Sequence, residues 1–297
     1  MPGSLLDKKN VIDRYLRMNP QHLSGFSFVN LFAWQGHWNY YMEEIDGCLC
    51  VFARNQLGVF MPWPPLGAKI RPETVEACFE RMDKENRGCV YSRIDNVSAC
   101  HLDVFPAEHY ERYRKGYEYC YYRPDIVNLS GNGYKSKRPD LNYFIRCQHA
   151  RFLPLTPDRL DDCSGLYDRW AKSRRQQHHD EIYCHMLDEN RSVHRLVLEN
   201  VGALGLAARV VEIDGCIRAY TCGYPLNHRI FCVLLEIADL QVRGLPVYVF
   251  QRFCSDEQVA AYPFINVMDD SGMNNMVRAK MSFRPRILFA SYVITKK

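Results

Sequence analysis

The densest run of cations in the sequence, Tyr134-Lys135-Ser136-Lys137-Arg138, follows a glycine-rich stretch, Ser130-Gly131-Asn132-Gly133. Glycines let a backbone turn tightly and approach a ligand closely, and three cations beside a phenol suit a phosphate or carboxylate. Read this way, Tyr134, Lys135, Lys137 and Arg138 form an anion clamp. Read on composition alone, the run is a solvated loop between two halves, leading into a helix from Pro139 with Leu141, Phe144 and Ile145 turned inward. Both readings stand at this point. A second stretch places Asp269 and Asp270 just ahead of an expected helix, with Arg278 and Lys280 further on. One carboxylate either caps that helix or, as Asp270 in a cleft, binds a cationic ligand group while Arg278 and Lys280 meet an anion. The cluster His178, His179, Asp180, Glu181, Cys184, His185 has metal-ligand residue types. Its spacings are not the i, i+4 of helical zinc ligands and His-Glu-x-x-His is absent, so a polar helix start accounts for it and no metal is expected.

These residues need a scaffold, and the sequence carries a sign of a repeated one. Glu44-Ile45-Asp46-Gly47-Cys48 recurs as Glu212-Ile213-Asp214-Gly215-Cys216, each copy between two β-prone runs. Asp-Gly between such runs marks a hairpin turn, and so long a period means tandem domains and not a solenoid. Ahead of the second hairpin, Thr156 and Pro157 open a helix with Leu160, Cys163, Tyr167 and Trp170 on one face. A further helix spans about 180–199, with Ile182, Met186, Val193, Leu196 and Val197 as its apolar stripe. Strands follow near 203–213, 216–223 and 229–237, then a helix from about Gly244, a strand near 262–266, a helix from about Ser271 and a closing strand near 287–295. The first half reads similarly: helices before residue 38, the hairpin, a strand at 58–61, a helix burying Val75, Cys78, Phe79 and Met82, and a strand over Cys89–Ile94. The expected fold is α/β, with two tandem halves that each carry a mixed sheet flanked by helices: residues 1–125, a basic segment and helix at 126–154, and residues 155–297.

Two helices, a three-strand meander and then alternating helix and strand is the layout of a GNAT (acyl-CoA N-acyltransferase) half. In that layout the strand ending near Glu236 and Asp239 splays from its neighbour to admit an acyl carrier, so a carboxylate here is placed to act as general base on an attacking amine. A coenzyme A site also wants a glycine-rich pyrophosphate loop at the next helix N-terminus, and Gln241–Pro246 offers the single Gly244.

Asp125, Leu129, Gly131, Tyr134, Lys137, Arg138, Asn142 and Phe144 fit, at every spacing, a pattern that resembles the C-terminal catalytic domain of phosphatidylglycerol lysyltransferase. Phe28–Trp34, Leu235–Asp239, and Asn266, Asp269, Asp270 and Gly272 followed by Ala279, Lys280, Ser282 and Pro285 resemble other motifs of that family, so the likeness covers nearly the whole chain. Val277 stands where the family has a cation, and the likeness does not extend to the membrane-embedded half. The resemblance implies tandem GNAT folds related to the Fem aminoacyltransferases. It implies an acyl- or aminoacyl-transferase that moves an activated acyl group, aminoacyl from charged tRNA, to an amine or hydroxyl by direct attack. The co-substrate would be aminoacyl-tRNA or acyl-CoA with no tightly bound cofactor, and the acceptor a small molecule, a peptide or a lipid headgroup. Glu236, Asp239 and Asp270 would be the catalytic carboxylates, and Tyr134, Lys135, Lys137, Arg138, Arg278 and Lys280 would hold the donor's anionic part. Asn142, Asn266 and Gly272 complete the motifs. The alternatives are a coenzyme A-dependent N-acetyltransferase and a non-catalytic module that binds tRNA or another polyanion on the same fold.

Bulk properties set the limits. With 47% hydrophobic and 24% charged residues the composition is that of a folded globular protein, and a net charge of +4 requires any polyanion to meet a local patch. No apolar run approaches the roughly 20 residues of a membrane span, and the N-terminus lacks a signal-peptide pattern, so a cytoplasmic location is expected. The 13 cysteines are dispersed without a Cys-x-x-Cys, which fits reduced thiols.

Overall fold

The computed structural model describes residues 4–19, 21–87, 91–177 and 180–297. In chain order the elements are α1 (Lys9–Met18), α2 (Phe28–Trp34), β1 (Asn39–Ile45), β2 (Cys48–Asn55), β3 (Gly58–Phe60), α3 (Pro72–Asn86), β4 (Ile94–Ser98), β5 (Tyr110–Tyr122), α4 (Arg123–Asn128), α5 (Lys137–Cys147) and β6 (Ala150–Pro154). They continue with α6 (Leu160–Gln177), α7 (Glu181–Glu199), α8 (Val201–Leu204), β7 (Ala207–Ile213), β8 (Cys216–Pro225), β9 (Ile230–Ala238), α9 (Leu245–Cys254), β10 (Phe264–Asn266), α10 (Asn274–Met281) and β11 (Ile287–Lys296). The chain forms two compact units. One takes in the chain up to Tyr119 with Met268–Val277 and Ile287–Lys297; the other takes in Cys120–Val267 and Arg278–Arg286.

The repeated pentapeptide makes the same turn twice. Asp46 and Gly47 have φ of 50° and 76°, and Asp214 and Gly215 of 50° and 77°. Ile45 faces Cys48 and Ile213 faces Cys216 across the two turns. Two positive φ values in a two-residue loop match the right-handed twist of the strands, which is why Asp-Gly is selected there. Each turn opens a three-strand antiparallel meander, β1-β2-β3 in the first unit and β7-β8-β9 in the second.

In the first unit, Met61 continues β3 and forms a parallel bridge to Ile94 of β4, and β4 pairs antiparallel with the last strand, β11. Phe52, Val59, Met61, Val75, Cys78, Phe79, Met82, Ile94, Val97 and Ile294 form its core. The helix face expected of α3 is therefore the buried one. In the second unit β6, β7, β8 and β9 run antiparallel, β10 lies parallel to β9, and the end of β5 pairs antiparallel with β10. Phe144, Val211, Ile213, Ala219, Ala238, Leu245 and Val249 pack α5 and α9 onto one face of this sheet.

Several expectations need correcting. The strand expected over Cys89–Ile94 begins at Ile94, and Cys89 and Val90 lie outside the described residues. The bridge to Met61 and the burial of Ile94 and Val97 select the more polar segment. Asp180 starts α7 as expected, accepting from Tyr183 N, but Ile182 is 74% exposed, off the buried stripe. Ile145 is likewise exposed and only Phe144 of its helix is fully buried. Thr156 occupies a cap position without a side-chain cap bond. No helix among the described residues is long and apolar enough to cross a membrane, and the described cysteines are all free thiols.

Candidate active site

In the second unit β9 is paired along only part of one edge. Strand β10 pairs with β9 at Ile230, Phe231 and Cys232 and no further, so Val233–Ala238 has no partner from β10 on that edge. On its other edge β9 is bulged: Cys222 faces Leu235 while the next residue, Gly223, faces Val233, leaving Leu234 as the extra residue. A bulge bends its strand and re-aims the side chains beyond it. Gly223 permits it, because a Cβ there would sit 2.2 Å from Cys232 O and 2.5 Å from the Phe231 ring.

Beyond the bulge lies Glu236, directly opposite Thr221 on β8. Glu236 Oε2 and Thr221 Oγ1 are both enclosed, and the only donor near the carboxyl is the Thr221 hydroxyl, whose hydrogen bond to it is weak. Burial pushes the Glu236 carboxyl up to about 8, against a weaker pull from the neighbouring Thr221 hydroxyl. The Cys254 thiol of α9 is held well above its ordinary value, first by burial and then by Glu236. A carboxyl that titrates near neutrality on such a stretch is suited to proton transfer.

Asp239 has a different environment. Its Oδ2 accepts from Arg218 Nη1 at 3.0 Å and its Oδ1 from Gln241 N at 3.0 Å, so it fixes the turn after β9. Of the two carboxylates expected at this strand end, Glu236 is the one with an oxygen available for chemistry.

The basic segment and the end of the chain meet on Phe283. Tyr134 is buried and donates from its hydroxyl to Phe283 O at 3.1 Å, and Lys137 Nζ stands 4.1 Å over the Phe283 ring. Burial lowers the Lys137 pKa while Asp140 opposes the shift. Arg138 Nη1 donates to Leu129 O at 2.6 Å and Gly131 O at 2.7 Å. Leu129 and Gly131 have φ of 47° and 78°, so Arg138 ties down a left-handed turn. Lys135 and Arg278 are exposed, and Asn142 is exposed on α5. Lys280 Nζ donates to Val267 O at 2.6 Å, and its own carbonyl accepts from Tyr121 Oη at 2.8 Å. Asn266 is fully buried on β10, paired with Cys232 and Cys120.

Within the first unit, Asp270 accepts from Tyr119 Oη at 2.6 Å and from Gly272 N at 2.9 Å. Burial first, and then the Asp270 carboxylate, push the Tyr119 phenol up to about 12. Asp269 accepts from Ser271 N, and α10 begins only at Asn274, so the two carboxylates brace the preceding turn instead of capping the helix. No group of three or more metal-ligating side chains occurs among the described residues; His178 and His179 lie outside them.

Sequence reasoning passed over Thr221, Gly223, Phe283 and Cys254. Only Gly223 carried a signal, since an isolated glycine inside a strand pattern suggests a bulge. Separate substitutions divide the basic segment. Lys137→Ala is expected to leave stability nearly unchanged and, if the segment lies in the site, weaken binding of an anionic donor about tenfold, with a smaller salt dependence. Arg138→Ala is expected to cost about 2 kcal/mol of stability through loss of its two carbonyl contacts. Equal donor affinity for Lys137→Ala and wild type at two ionic strengths would remove the segment from the site.

The family model described as phosphatidylglycerol lysyltransferase, C-terminal, matches residues 17–295. The chain belongs to this family. Among solved structures, a conserved protein of unknown function from Bacteroides thetaiotaomicron VPI-5482 is similar at a TM-score of 0.85 and 24% identity, covering 98% of this chain and 97% of that one. L-PGS from Bacillus licheniformis is similar at a TM-score of 0.67 and 13% identity, covering 97% and 91%. A tandem GNAT protein from the clavulanic acid biosynthesis pathway is similar at a TM-score of 0.53 and 10% identity, covering 98% and 95%. At these identities the structures establish the fold, which is the tandem GNAT fold. No curated protein sequence matches the chain. The phosphatidylglycerol lysyltransferase C-terminal family is one of transferases.

Proposed function

We propose that the second unit transfers an aminoacyl group from charged tRNA to an amine or hydroxyl acceptor, with Glu236 as general base. The observation that carries this reading is the enclosed Glu236 carboxyl, with only the Thr221 hydroxyl to donate to it, on the part of β9 that β10 does not pair. Family membership supports a transfer reaction. The acceptor attacks the ester carbonyl of the donor, and a C–N or C–O bond forms as the ester C–O bond breaks. The acceptor's proton passes to Glu236 and then to the departing ribose oxygen, so no covalent enzyme intermediate is needed. Exposed Lys135 and Arg278, with Lys137 over Phe283, are proposed to meet the donor's phosphates.

Coenzyme A is the weaker donor. Gly244, the sole glycine of the turn after β9, has φ of 82° and lies so close to α5 that a Cβ would be 2.2 Å from Asp140 O. That glycine serves helix packing, which leaves no glycine-rich cradle for a pyrophosphate. The test is a transfer assay with a mixed pool of radiolabelled aminoacyl-tRNAs, run beside labelled acetyl-CoA, using amine and hydroxyl acceptors. Label is expected to leave the tRNA pool in a Glu236-dependent manner. Turnover of acetyl-CoA alone would overturn the proposal.

A further inference from the structure

The first unit holds a thiol, a hydroxyl and an imidazole in mutual contact, none of them used by the transfer reaction. Strand β4 ends at Ser98, and the chain turns at once into a short 3-10 helix over Ala99–Val104. Ser98 Oγ lies 2.7 Å from Cys100 Sγ and 3.3 Å from His101 Nδ1, and Cys100 Sγ lies 3.7 Å from the same ring nitrogen. On the far side of the ring, Gln21 Nε2 lies 3.2 Å from His101 Nε2, which leaves Nδ1 to the thiol and the hydroxyl. The two ends of an amide exchange by a half-turn; with its oxygen toward the ring it accepts from Nε2–H, and Nδ1 is then the acceptor. Burial lowers the His101 pKa, Asp103 opposes the shift and His22 adds to it, so the ring is neutral and ready to take a proton. Cys100 is exposed, whereas most of the described cysteines are buried. Cys147 and Cys216 are exposed too, but among the described residues neither has an imidazole as hydrogen-bond partner.

A second observation, independent of the thiol, points to a ligand at this place. Ser291 of β11 stands directly opposite Ser98, and opposed residues of neighbouring strands turn to one face of the sheet. Ser291 is 6% exposed, and its Oγ is enclosed without a hydrogen bond to any described residue. Buried hydroxyls are nearly always hydrogen-bonded, so this one is set to meet a group from outside the chain.

We infer that Cys100 is a modification site for a low-molecular-weight disulfide, with His101 as proton acceptor and Ser291 as a contact for the incoming molecule. The thiol proton passes to His101 Nδ1, and the thiolate, to which Ser98 Oγ donates, attacks one sulfur of the disulfide. A new S–S bond forms as the old one breaks, and the leaving thiolate takes the proton from His101. The products are a mixed disulfide at Cys100 and one free thiol. Cys100 is oxidised and the leaving sulfur reduced, so no further oxidant is needed.

The full chain is treated at pH 7 with oxidised glutathione, native and in denaturant, and the adducts are located by peptide mass mapping. Native Cys100 is expected to react about tenfold faster than Cys100 of the unfolded chain, and than native Cys147 or Cys216, because a base touches its thiol. His101→Asn is expected to slow the native reaction about tenfold and leave the unfolded rate unchanged. Ser291→Ala is expected to slow oxidised glutathione but not methyl methanethiosulfonate, which carries no polar arm to reach that hydroxyl. The native-to-unfolded comparison uses the wild-type chain, so it decides the matter even where a variant misfolds. Equal rates for native and unfolded Cys100, native Cys147 or Cys216 reacting as fast, or a folded His101→Asn variant as fast as wild type would overturn the site. Ser291→Ala acting on both reagents alike, or on neither, would overturn the ligand contact.

Discussion

Glu236→Gln is expected to lower aminoacyl transfer by about a hundred- to ten-thousand-fold, the range for loss of a positioned general base, while making the protein more stable. The stability sign follows from burial. Below the ordinary carboxyl value of 4.5 the folded and unfolded chains both keep the Glu236 proton. Between 4.5 and about 8 the unfolded chain ionises and the folded one does not, so wild-type stability declines with rising pH until the folded carboxyl itself titrates. Gln cannot ionise and escapes that decline. Unfolding by denaturant should therefore give equal stabilities well below pH 4.5 and a gain on the order of 4 kcal/mol for the variant at pH 8. The wild-type transfer rate should rise with pH to a plateau above about 8, because the base acts as the carboxylate. A variant as active as wild type, or one that loses activity because it unfolds more readily, would contradict the assignment.

Gly223→Ala should have the largest effect on folding. Its new Cβ would meet Cys232 O at 2.2 Å, a backbone atom that cannot rotate away. The strands must separate or the bulge at Leu234 must be lost, and overpacking of this kind costs about 2–4 kcal/mol. Either outcome turns the residues beyond the bulge, Glu236 among them, away from their present direction, since a one-residue change in register exchanges the two faces of a strand. Transfer activity should fall with stability, and a second Gly-to-Ala change at solvent-open Gly202 serves as the control. If Gly223→Ala melts within about 0.5 kcal/mol of wild type, the range of a neutral surface change, the close approach of β8 to β9 is not required.

Much of the architecture was legible because its signals are local. Asp-Gly specifies a two-residue hairpin from the φ values it tolerates, and it did so at both Asp46 and Asp214. The α3 stripe of Val75, Cys78, Phe79 and Met82 follows from helical periodicity and is fully buried. Strand β5 escaped notice because Glu111 to Lys115 are all exposed and show no alternation; its place is set by pairing with distant strands. Residue by residue, the site motifs were visible as charge and glycine patterns, but their roles were not. Lys137 and Arg138 are neighbours of like charge. One stacks on Phe283 and the other closes a turn on Leu129 and Gly131.

By itself the sequence determined the two hairpins, the alternation of helix and strand and the family to which the chain belongs, since these depend on backbone preferences and on spacings along the chain. Tertiary structure alone decided that Glu236 and not Asp239 keeps an unpartnered oxygen. It also decided that β11 joins β4 in the first unit and that Phe283 gathers the basic segment. The reason is that burial, strand partners and the desolvation of a carboxyl are set by residues far away in sequence, and no local pattern encodes which of two nearby carboxylates an arginine will reach.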